Sequence, residues 1–209
     1  MPITTTLKFK RVSGRALGAL IVAVGGLLAS SLPAAASEAE NEADYAEYGG
    51  AVNYGDVLND GRRTASQVVI TRSIIFAARD RNIGSTADSD IIPPGFFDLG
   101  DNRSRGHVIG RQLGGSGDVE ANLLALYQNS VNSPAMSDCE SEVAGYLEDG
   151  SAASDDLYYR VEPIYDLAEQ QHPTAVWIYA SDNGRALVNI TIANTPDAPV
   201  TYGAGNQLC

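Results

Sequence analysis

One histidine of the chain, His107, lies between two arginines, Arg105 and Arg111, in the stretch RSRGHVIGRQLGGSGD (103–118). Histidine is scarce here, with only two in the sequence. An imidazole titrates near neutrality and is suited to take a proton from water. Guanidinium groups on either side suit a phosphate, which they grip through paired hydrogen bonds. The glycines that follow allow a close backbone approach to a ligand. A purely structural, hydrogen-bonded His107 is the alternative at this level. The other histidine, His172, precedes Pro173 in a loop-like stretch and reads as a surface residue.

A second candidate lies downstream, in VNSPAMSDCESEVAGYLEDG (131–150). Ser133 is a suitable cap, Pro134 suits a first helical position and Gly150 a stop, so the pattern predicts a helix over 134–148. At 100° per residue, Met136, Cys139, Val143 and Leu147 fall within about 80° of one another and form an apolar stripe. Glu140 borders that stripe, about 20° beyond Leu147. A carboxylate aimed at a core is costly unless it is paired, hydrogen-bonded or beside a metal. An ion pair with Arg105 or Arg111, or a reach to water from the stripe's edge, would account for it more simply. Asn132 stands eight residues ahead of Glu140, about 12 Å along a helix axis if helical geometry reaches that far. The two could then face one cleft without both binding one small ion directly, whereas alone Asn132 is also a plain helix cap.

Other chemistries lack their residues. No G-x-S-x-G elbow accompanies the serine of GGSGD, no H-E-x-x-H is present, and GRQLGGSGD lacks the Lys-Ser/Thr of a phosphate-binding P-loop. His107 and His172 are too far apart for a sequence-local zinc motif.

These residues need elements to hold them. GGAVNYGDVLNDGRRTASQVVITRSI reads as two strand-like runs around its NDG turn, and the segments GHVIG, NLLALYQ, DLYYRVEPIYDL and TAVWIYASDNGRALVNITIAN read as strands, the last a hairpin with DNG at its tip. The expected architecture is α+β, with a mixed or antiparallel sheet core. The N-terminus carries Lys8, Lys10, Arg11 and Arg15, then an apolar run closing on LPAAAS, the pattern of a secretory signal peptide over 1–36. A membrane anchor is the alternative, although the run is short and broken by glycines. An acidic, flexible leader over 37–48 and a single domain over 49–209 complete the expected organisation. In an exported protein Cys139 and Cys209 are expected to form one disulfide, with free thiols the alternative.

The formal net charge is −12, and removal of the four positive residues of the signal region leaves −16. Such a chain lacks the basic footprint of a general nucleic-acid binder. Any phosphate chemistry must therefore rest on a local cluster or a metal.

RGHVIGRQLGGSGDVEANLL followed by YQNSVNSPAMSDCE resembles the DNA/RNA non-specific endonucleases of the ββα-metal (His-Me finger) superfamily. The resemblance is close over about 101–147 and weak before residue 90. It implies a ββα-metal motif in which His107 is the general base and Asn132 the direct ligand of a magnesium ion, or of manganese or another divalent cation. It further implies that Glu140 acts through metal-bound water and Arg105 meets the scissile phosphate. Arg111, Gln112 and Gln128 become candidates for substrate or framework contacts. The implied activity is secreted, metal-dependent hydrolysis of DNA and/or RNA that leaves 5′-phosphates, with no membrane partner after signal removal and a protein inhibitor possible. The sequence departs from the pattern at Ser104, where the family often has an acidic residue; Asp101 is the nearby candidate to replace it. A non-catalytic exported binding module on a degenerate nuclease scaffold is the competing expectation, and a metal phosphodiesterase for small substrates would use the same site.

Overall fold

The computed structural model describes residues 32–167 and 169–209; the signal peptide expected over 1–36 lies, up to residue 31, outside them. A six-stranded, wholly antiparallel sheet runs in the order β1 (Ala51–Asn53), β2 (Ser66–Thr71), β5 (Asp156–Ile164), β6 (Ala175–Asp182), β7 (Arg185–Ala193) and β8 (Val200–Tyr202). Alternation decides its faces. Leu157, Tyr159, Val161, Val176, Ile178, Ala180, Val188, Ile190 and Ile192 are buried, while Tyr158, Trp177 and Tyr179 line the opposite, half-open face. The β6–β7 hairpin turns at Asn183 (φ 48°) and Gly184 (φ 80°), the left-handed pair that the DNG signal predicts.

Helices α1 (Leu32–Glu47), α2 (Arg72–Arg79) and α3 (Ser137–Glu148) complete the described core. Thr71 caps α2 by accepting from the Ile74 amide at 3.2 Å. Arg72 Nε donates to the Leu147 carbonyl at 2.7 Å, and Arg79 pairs with Glu148, so α2 and α3 are tied side by side. No helix among the described residues is long and apolar enough to cross a membrane.

A separate two-stranded antiparallel ribbon, β3 (Arg103–His107) with β4 (Leu123–Tyr127), stands apart from this sheet. It is tied to the larger sheet by the packing of Leu124 and Leu126 in the common core and by buried Asn194, which accepts from the Tyr127 amide (3.1 Å) and donates to the Ala125 (3.1 Å) and Pro173 (2.8 Å) carbonyls. The Cys139–Cys209 disulfide (Cα–Cα 5.0 Å) joins α3 to the C-terminal segment, as the two cysteines predict.

Three expectations change. Residues 37–47, expected as a flexible leader, are helical in α1, because Tyr45 and Asn41 find buried partners that composition cannot reveal. Tyr45 donates to the Leu113 carbonyl (2.6 Å) and Asn41 to that of Gly114 (3.3 Å). The strand expected at GHVIG lies earlier, at Arg103–His107. Asn122 captures the next two residues: its carbonyl accepts from Val108 N (2.8 Å) and its side chain from Ile109 N (2.7 Å). Regular helix α3 begins at Ser137 rather than 134. The preceding segment, Gln128–Met136, is wide-turned and passes through extended backbone at Ser133 (φ −145°, ψ 126°).

Candidate active site

Strand alternation puts the side chains of Arg103, Arg105 and His107 on one face of β3. His107 Nε2 lies 3.0 Å from the Ser85 carbonyl oxygen. A carbonyl only accepts, so Nε2 carries the proton and Nδ1 keeps its lone pair. Burial pushes the imidazole below its ordinary pKa, the bond to Ser85 opposes that shift, Arg111 adds to it and Asp118 opposes it.

Ser85 is itself held firmly. Its hydroxyl donates to Asp118 Oδ2 (2.6 Å) and accepts from the Gly117 amide (2.8 Å), while Asp88 N donates to the Gly117 carbonyl (2.9 Å). Segment 85–88 is thus zipped to 115–118. The loop after β3 is fixed by fully buried Asn122, which donates to the Ile109 (3.1 Å) and Ser116 (2.8 Å) carbonyls besides accepting from Ile109. Sequence reasoning missed Ser85, Asp118 and Asn122. Asp118 closes the quoted histidine stretch, but its partnership with Ser85 is a tertiary event.

Two glycines bring the other candidates against this strand. A Cβ at Gly106 would stand 2.9 Å from Asn132 Oδ1, and one at Gly110 would run into the Glu140 carboxylate. Only glycine permits both approaches. Asn132 and Glu140 therefore pack against positions immediately before and three residues after His107. One continuous helix does not align them, since Ser133 interrupts it; the glycines of the β3 segment do. Asn132 Nδ2 donates to Gln128 Oε1 at 3.0 Å, which leaves Oδ1 turned towards Gly106.

Glu140 is buried at 6 % exposure, as its place beside the apolar stripe predicts, and no ion pair with Arg105 or Arg111 accounts for it. Gln112 Nε2 donates to Glu140 Oε2 (3.1 Å), and the Gly110 amide also donates to the carboxylate. Burial nevertheless pushes its pKa up to about 7, against the lowering effect of those two bonds. Its charge also raises the buried phenols of Tyr45 and Tyr159, whose larger cause is their own burial.

The remaining candidates divide. Gln112 is framework: it donates to the Ser137 carbonyl (2.8 Å) and accepts from Ser141 (3.0 Å). Gln128 orients Asn132. Arg105 spends Nε on the Ile91 carbonyl (2.7 Å) and Nη2 on that of Ser89 (2.8 Å), and lies over the Phe96 ring, so it anchors the 89–91 loop. Arg111 is exposed and lines a cavity of about 320 Å³ between α2 and α3. Ser104 donates to the Leu126 carbonyl across the ribbon (3.2 Å). Asp101 does not replace the missing acidic residue. Its side chain is fully exposed and meets only Arg103 (3.8 Å); the carboxylate that bears on His107 is Asp118. His172 is half-buried against Gly95.

Residues 81–184, which contain every one of these groups from Ser85 to Glu140, match the family model of the DNA/RNA non-specific endonucleases. The chain belongs to the DNA/RNA non-specific endonuclease family. Ribbon β3–β4 and helix α3 are accordingly the ββα motif of this nucleic-acid hydrolase. The endonuclease is similar in fold to the Sda1 nuclease with bound zinc ion, at 17 % identity and a TM-score of 0.56, over 76 % of this chain and 81 % of that one. It is also similar to NucA from Streptococcus agalactiae with magnesium ion bound, at 19 % identity and a TM-score of 0.56, over 74 % and 80 % of the two chains. No curated protein matches the endonuclease.

Proposed function

We propose that this endonuclease is exported, depends on a divalent cation, preferentially magnesium, and hydrolyses phosphodiester bonds of DNA and RNA to leave 5′-phosphates. The observation that carries the reading is the Ser85 carbonyl on His107 Nε2, which dedicates Nδ1 to accepting a proton. His107 takes that proton from the attacking water, and the imidazolium formed is stabilised by Asp118 behind Ser85.

The donor set fits a hard cation. Asn132 Oδ1 is freed by the bond from Nδ2 to Gln128, and Glu140 is a buried carboxylate with two hydrogen bonds and no cationic partner. Among the described residues no cluster of three His, Cys, Asp or Glu offers a chelating cage. Such a site suits an ion that keeps most of its waters, with Asn132 as its direct ligand and Glu140 holding those waters. When bound, the cation supplies charge to the phosphoryl oxygen and to the departing 3′ oxygen. Arg105 keeps N–H groups beyond those given to Ser89 and Ile91, and these receive the phosphate. Arg111 adds a second cation beside His107.

Export is supported by the basic–apolar–A-x-A pattern at the N-terminus and by the Cys139–Cys209 disulfide, a bond of oxidising compartments. The decisive test digests plasmid and RNA with magnesium, with excess EDTA, and with His107→Ala. Cleavage is expected only for the wild type with metal. Undiminished cleavage in EDTA would remove the cation from the reaction, and equal cleavage by the variant would remove His107.

A further inference from the structure

The hydrolytic residues leave one feature of the β3 face unused. Phe97, just ahead of that strand, is 67 % exposed. Its ring meets Phe96 edge to face, with centroids 5.3 Å apart and planes at 79°. Phe96 is buried against Leu99 and Ala125 and so gives the exposed ring a rigid footing. Arg103 lies over both rings, 5.3 Å from the Phe96 centroid and 5.5 Å from that of Phe97, while Arg105 lies 4.6 Å from Phe96. Ile92, from the loop that Arg105 anchors, is 45 % exposed. An aromatic ring held in water, flanked by arginines, on a surface otherwise dominated by carboxylates calls for an occupant with a flat face and negative charge.

Geometry identifies the occupant. Arg103, Arg105 and His107 alternate along one face of β3, and the four-residue step from Arg103 to His107 spans about 13 Å. A nucleic-acid strand with its scissile phosphate at His107 thus carries a base, a few nucleotides away, to the Phe97 ring and a phosphate to Arg103. Guanidinium groups stack on rings as well as fork onto phosphates, and the described residues contain no lysine. A base inside a duplex is already stacked on both faces, whereas an unpaired base offers its face to an aromatic side chain.

We propose that Phe97, supported by Phe96 and Arg103, is a base-stacking subsite for single-stranded nucleic acid, so that the enzyme engages unpaired strands in preference to intact duplex. The position of the subsite rests on His107 as the centre of cleavage; its existence does not.

The test measures binding of a fluorescein-labelled single-stranded oligonucleotide by fluorescence anisotropy in EDTA, where turnover plays no part. The same strand as a duplex and as an all-abasic oligomer are measured beside it, with wild type, Phe97→Ala and Phe97→Trp. Stacking of one base is expected to make Phe97→Ala weaken binding of the intact strand about 5- to 150-fold, with Phe97→Trp restoring it. Wild type should bind the abasic oligomer about as weakly as Phe97→Ala binds the intact strand, and the two losses should not add. Unchanged binding by Phe97→Ala, equal losses on single strand and duplex, or additive losses would each overturn the proposal; the first would point to a protein partner for the ring. If His107→Ala cleaved as well as wild type while the stacking cycle held, the hydrolytic reading would fail and the subsite would stand.

Discussion

With its Nε2–H committed to the Ser85 carbonyl, His107 has one nitrogen for chemistry, and burial keeps that nitrogen free of a proton to lower pH than usual. At saturating metal, kcat/KM should therefore rise with pH through a limb centred below the ordinary value of about 6.5. A pH–rate profile with its midpoint above 6.5 would contradict this. Glu140 is displaced the other way, from 4.5 to about 7. Folding favours its protonated form, so its contribution to stability is present in full below pH 4.5 and is lost as pH rises through about 7. The gap corresponds to on the order of 3 kcal/mol. In EDTA at pH 8, Glu140→Gln should raise Tm, with the gain shrinking towards pH 5; a lower Tm at pH 8 would show that the carboxylate is not strained there. His107, Asn132 and Glu140 were legible as candidates because their types and spacing are local facts. Ser85 and Asp118 were not, because nothing local marks a serine carbonyl that meets a ring 22 residues away.

At the scale of elements, the site depends on a loop with little regular structure of its own. Residues 108–117 follow β3 without a sheet partner, and Asn122 supplies the polar partners they would otherwise lack. Asn122→Ala leaves two carbonyls and an amide without that partner, at a cost of about 3 kcal/mol in urea denaturation. Because the same loop carries Gly110 and Gln112 against Glu140, kcat/KM should fall on the order of a hundredfold; a stability loss with unchanged turnover would uncouple loop and site. The strands were readable from alternation and turn residues, DNG above all. The start of α3 and the whole of α1 were not. The first is set by Ser133 backbone, and the second by Tyr45 and Asn41 reaching the 113–114 carbonyls of a loop far along the chain.

For the whole molecule, charge sets the terms of encounter. From residue 37 onward the formal net charge is −16, against a polyanionic substrate. Long-range repulsion slows association, and salt screens it before it weakens close arginine contacts. Raising NaCl from about 10 to about 100 mM, which shortens the screening length from about 30 to about 10 Å, should increase kcat/KM on plasmid. A steep, monotonic fall would instead indicate a binding face dominated by many cation–phosphate contacts. The ribbon has a further consequence. A two-stranded sheet is marginal by itself, and β3–β4 shares no ladder with the six-stranded sheet, to which it is joined by the side chain of Asn194 and by the packing of Leu124 and Leu126 in the common core. With no ladder between them, the reactive half is expected to open first while the larger sheet persists. Heating should silence turnover several degrees before the far-ultraviolet circular dichroism of the main sheet is lost, and brief cooling should restore it. The ribbon would then act as a thermal fuse; coincident loss of activity and ellipticity would show the two sheets to be one cooperative body.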